Sequence, residues 1–72
     1  MLSFELVRDG KAIQIDCDSE GLATLVQALE RVRQTGHLHL LAPSAGGREL
    51  SDETPWGHKA IGEVIITTGG DN

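Results

Sequence analysis

With 72 residues, the chain closes one hydrophobic core and leaves no material for a second. Eleven acidic against six basic residues give a formal net charge of −5, which repels both the phosphate backbone and anionic lipid, so neither nucleic acid nor a membrane surface is an expected partner. Cys17 is the only cysteine, which excludes an internal disulfide. There is no leader-like start and no apolar run near the ~20 residues that span a bilayer, so a cytoplasmic location is expected.

Residues 2 to 17 carry the best local signal. Asp9-Gly10 is a turn dipeptide suited to a two-residue hairpin loop, because both positions take positive φ readily. Closing the chain there sets Leu2 opposite Cys17, Phe4 opposite Ile15 and Leu6 opposite Ile13 on one face. Ser3–Asp16, Glu5–Gln14 and Val7–Ala12 fall on the other. Turn and alternation agree, which predicts a β-hairpin over 1–17.

Asp18 or Ser19 then caps a helix over 20–35, with Glu20 in the first turn, basic residues late and Gly36 as the terminating residue. Leu22, Leu25, Val26, Leu29 and Val32 recur at helical spacing and form the expected core-facing stripe. Gly21 is the one local cost. A strand follows at 37–41, with Leu38 and Leu40 on one face and His37, His39 and Leu41 on the other.

Residues 42–57 show neither a helical nor a strand period, and they hold both prolines, three glycines, three acids and the only Trp. A loop of that length in so small a domain is expected to be functional or disordered. A β-branched strand spans 61–68, its faces ambiguous because Ile61 and Ile65 oppose Val64 and Ile66. The tail, 69–72, is expected to fray.

The order is therefore β-β-α-β-loop-β in a single domain. The expected fold is α+β: a ββαββ chain with a four-stranded, mostly antiparallel sheet and one helix on one face. The uncovered face would carry His37, His39 and Leu41, and Val7, Leu41 and Ile65 on it would support a homodimer.

Chemistry-bearing patterns are sparse. His37-x-His39 places two imidazoles on one strand face, and Asp16 or Glu5 would be the nearest carboxylate, but no further ligand spacing supports a metal, and none is expected. Ser44, Ser51 and His58 lack a nucleophile elbow and an enclosing pocket, Cys17 reads as a core-facing filler, and Gly46-Gly47 lacks the Lys-Ser/Thr of a phosphate loop. No enzymatic activity and no cofactor are expected. Trp56 is either a core plug or an interface anchor. Glu49, Asp52 and Glu53 form an acidic cluster suited to a basic partner.

Gly36-His37-Leu38-His39-Leu40, followed by Pro43, Gly46-Gly47 and Glu49-Leu50-Ser51, resembles the immunity protein 32 family of bacterial polymorphic toxin systems, over residues 22 to 67. In that family a leucine-rich helix leads into a G-H-x-H-L strand, a loop with a Gly-Gly step and an E-L-S segment, and a terminal β-branched strand. One departure stands out: Ala45 occupies the position before the Gly-Gly step where an aromatic residue is expected. The resemblance implies a binding protein that neutralises a cognate protein toxin by stoichiometric occlusion. Trp56, Glu49, Asp52, Glu53, His37 and His39 are the expected contact residues, and the acidic charge would suit a basic toxin such as a nuclease. The alternative is a small homodimeric structural or regulatory module with no toxin partner.

Overall fold

The computed structural model describes residues 1–69; of the expected frayed tail, residues 70–72 lie outside that range. Strands β1 (Leu2–Val7) and β2 (Ala12–Cys17) pair antiparallel in the register that the alternation dictates, Leu2 opposite Cys17 through Val7 opposite Ala12. The turn differs from the two-residue expectation. Arg8 joins Asp9 and Gly10 at positive φ, and Gly10 N–H donates to the Val7 carbonyl, so the loop takes four residues without moving the register. Arg8 has no glycine's freedom, and its left-handed backbone costs on the order of 1 kcal/mol.

Helix α1 (Ser19–Thr35) starts where β2 ends. Asp18 caps it, accepting from Gly21 N–H at 2.8 Å, and Gly36, at φ 81°, closes it with its N–H on the Val32 carbonyl. The buried helix face keeps Val32 and, in part, Leu25 from the expected stripe and adds Gly21 and Ala28, while Leu22, Val26 and Leu29 fall outside it. The reason is steric. A Cβ on Gly21 would lie 1.6 Å from the Met1 carbonyl oxygen, so the helix can seat against the start of β1 only through its small residues. That seating turns the apolar centre of the helix away by roughly 75°, and Leu22, Val26 and Leu29 are left facing water.

Strands β3 (His37–Leu41) and β4 (Glu63–Thr67) also pair antiparallel, Leu38 with Ile66 and Leu40 with Val64 on the core side. This resolves the ambiguous strand: Val64 and Ile66 point inward and Ile65 outward. The four strands form two two-stranded sheets, not the expected single four-stranded one. The free edge of β1 is taken by the loop instead, where Ser51 N–H donates to the Leu2 carbonyl and Ile61 N–H to that of Phe4, which leaves no room for β3 or β4 beside β1.

The core gathers Leu2, Phe4, Ala28, Leu40, Ala42 and Leu50, so the irregular segment supplies two of its members. The expected cover over the whole apolar face of the hairpin stops at Leu2 and Phe4. Leu6, Ile13, Ile15 and Cys17 remain exposed, and Cys17 is not the filler its position suggests. On the other face Ser3 is fully buried, and its hydroxyl has no partner among the described residues, a position expected to be open. Among the described residues no helix is long and apolar enough to cross a membrane.

Candidate functional site

The segment from Ala42 to Gly62 is held by its own backbone. Pro43–Ala45 make a 3-10 turn ended by Gly46 at φ 91°. Gly47 then passes so close to Leu41 that a Cβ would meet the Leu41 Cβ at 2.3 Å and its carbonyl oxygen at 2.6 Å. The Gly-Gly step is thus one residue for the turn and one for the close approach. Gly47 N–H returns to the Ala42 carbonyl, and the Glu49 and Leu50 N–H groups both reach the Leu41 carbonyl.

Beyond it the chain folds into a small hairpin. Ala60 N–H donates to the Asp52 carbonyl, Thr54 N–H to that of His58, and Glu53 bridges Lys59. Buried Thr54 organises the tip: its hydroxyl oxygen accepts from Trp56 N–H at 3.3 Å and His58 N–H at 3.1 Å, and its carbonyl accepts from Gly57 N–H. His58 Nδ1 lies 2.8 Å from a Glu5 carboxylate oxygen and ties the tip to β1. Trp56 stands outside this framework, 64% exposed, so it does not plug the core.

The expected acidic cluster divides. Glu49 accepts from Leu41 N–H at 3.0 Å, and that bond is the chief reason its carboxyl sits below the ordinary glutamate value. Asp52 accepts from Ser44 N–H at 3.2 Å. Both acids stand in for backbone acceptors at exposed strand and turn N–H groups. Glu53 is the exposed member, and among the described residues it has no such bond.

His37 and His39 do come together. Their Nε2 atoms are 2.7 Å apart, and His39 Nδ1 lies 2.6 Å from Glu63. The carboxylate beside the pair is Glu63, supplied by the register that sets Leu41 opposite Glu63, and not Asp16 or Glu5 from the hairpin. Glu5 is engaged with His58 instead. With Nδ1 of His39 donating to Glu63, its Nε2 accepts from His37, and the three groups form a line on the open face of β3 and β4. Glu63 meets one nitrogen of His39 and His37 the other. Three donors therefore do not converge on a point, and among the described residues no such metal set is formed.

Between α1 and the outer edge of β3 lies a shallow cavity of about 240 Å³, bordered by Gln27, Arg31, His39 and Glu49. It is small for a pocket that encloses a substrate. No known protein family, characterised protein or solved structure matches this chain.

Proposed function

We propose that this chain is a binding protein of the immunity type, which neutralises a cognate protein toxin by occupying its working surface. The observation that carries the reading is Trp56: the only tryptophan, 64% exposed, presented at the tip of a hairpin whose backbone is already fixed by Thr54. A large aromatic held on a pre-ordered tip loses little entropy on docking, and such residues carry a disproportionate share of binding energy.

Glu53 in the same small hairpin, and His37 and His39 on the open face of β3 and β4, are the further polar contacts in this reading, and the net charge of −5 favours approach of a basic toxin. Glu49 and Asp52 act in this reading as supports of the loop and not as contacts. The action is occlusion rather than catalysis, in line with the resemblance to immunity proteins.

The test is capture of the partner from lysate of the source cells, wild type beside Trp56→Ala, with the bound proteins identified by mass spectrometry. Recovery of one basic toxin-like fragment by wild type, reduced at least tenfold by the variant, supports the reading. Equal recovery by both removes Trp56 from it. The alternative, a homodimeric structural or regulatory module with no toxin partner, is favoured by a separate observation, the exposed apolar side chains of the hairpin and helix.

A further inference from the structure

We infer that the outer edge of β2, with the open apolar surface of the hairpin and α1, is the contact through which two copies of this chain form a two-fold dimer. The inference does not depend on the partner of Trp56. It also places the contact away from the Val7/Leu41/Ile65 surface considered from the sequence.

Three observations meet here. First, Leu2 and Phe4 turn their carbonyls outward to Ser51 and Ile61, and Asp18 N–H returns to the Met1 carbonyl. Alternation along the ladder then directs the N–H and C=O groups of Ile13, Ile15 and Cys17 away from β1. Among the described residues these groups have no backbone partner, so β2 offers a free strand edge with no bulge or proline to blunt it.

Second, Leu6, Ile13, Ile15, Leu22, Val26 and Leu29 are each between 47% and 63% exposed. Summed, the six side chains leave on the order of 500 Å² of apolar surface, most of the roughly 800 Å² per partner that a standard-size interface buries. The joined strand edges supply the rest.

Third, the edge is self-complementary. Pairing β2 antiparallel with its copy about Ile15 sets Ile15 against its own counterpart, Ile13 against Cys17 and Gln14 against Asp16. The same register carries Lys11 of each copy to the Ser19 end of the other, where Asp18 and Glu20 lie. The two isolated hairpins become one four-stranded sheet, which removes the weakness of a two-stranded one.

Analytical ultracentrifugation of the full chain tests this. Wild type is expected at twice the 7.7 kDa chain mass, while Ile15→Lys and Val26→Lys sediment as monomers with the wild-type circular dichroism spectrum. Leu41→Lys, on the other sheet, remains dimeric. Because Val26 lies outside the strand ladder, its variant decides the matter should Ile15→Lys unfold. A third variant, Ile15→Cys in a Cys17→Ser background, should oxidise to a covalent dimer. Directly paired strand positions of this kind sit about 5.5 Å apart, within disulfide reach. Wild type monomeric at its highest soluble concentration, a dimer that survives Val26→Lys, or dissociation caused only by Leu41→Lys would each overturn the inference.

Discussion

The irregular stretch from Ala42 to Gly62 and the regular hairpin-helix unit from Leu2 to Thr35 are finished in opposite ways. The irregular stretch buries Ala42, Leu50, Thr54 and Ala60, and its N–H groups are taken up within the stretch, by the Asp52 and Thr54 side chains, and by the carbonyls of Leu2, Phe4 and Leu41. The regular unit has a well-formed ladder and a doubly capped helix, yet it leaves six large apolar side chains about half exposed. Periodicity, then, measures whether an element forms. It does not measure whether the element's apolar side is covered within its own chain.

Substitutions sharpen that contrast, beginning with the largest effects. Leu50→Ala, in the irregular stretch, should lower stability by about 2–4 kcal/mol through lost burial and a residual cavity, measured by urea unfolding. Ile13→Thr, in the regular unit, should cost under roughly 0.5 kcal/mol in dilute solution, since its side chain is already wet. Reversal of that order would break the contrast. Gly47→Ala should cost roughly 3 kcal/mol, because the new methyl must push against the Leu41 backbone rather than a flexible side chain.

Thr54→Val tests the tip. It removes the oxygen that accepts from Trp56 and His58 N–H, and should cost about 1–2 kcal/mol while loosening the Trp56 presentation. On the proposed reading, affinity for the partner should then fall even though Trp56 itself is unchanged. Ser3→Ala acts in the opposite direction. Its hydroxyl is buried without a partner among the described residues, so removing it should leave stability unchanged or raise it by up to about 1 kcal/mol.

Acid titration examines the same loop through Glu49. Its carboxyl is lowered from the ordinary 4.5, chiefly by Leu41 N–H. Because the folded value lies below the unfolded one, the contribution is fully present above the ordinary glutamate range. It is lost as pH falls through the lowered value. Asp18, lowered first by the Met1 amino group and then by Gly21 N–H, behaves in the same sense at the helix cap. Urea midpoints should therefore fall on acidification, and Glu49→Gln should flatten part of that fall.

Much of the hairpin, helix and strand content was legible because each rests on local chemistry: the Asp9-Gly10 turn, the Asp18 cap, the Gly36 stop. The helix's facing was misread because counting large apolar residues favoured Leu22, Val26 and Leu29. Close approach at Gly21 selected the small residues instead. The order in the loop was not legible, since hydrogen bonds such as Ala60 to Asp52 follow no period and the capping acids read as a charge cluster. At the candidate site, the His37/His39 pair followed from strand alternation. Glu63 did not, because its place beside His39 depends on the β3–β4 register, and no turn dipeptide announces it.

Amide hydrogen exchange, read residue by residue at low and high protein concentration, tests both halves of the contrast together. The N–H groups of Thr54, Ala60 and Ile61 should be slow at both concentrations, while those of Ile13 and Ile15 should be fast when dilute and slow when concentrated. Loop amides exchanging at the rate of an unstructured peptide, with Ile13 and Ile15 indifferent to concentration, would contradict the account.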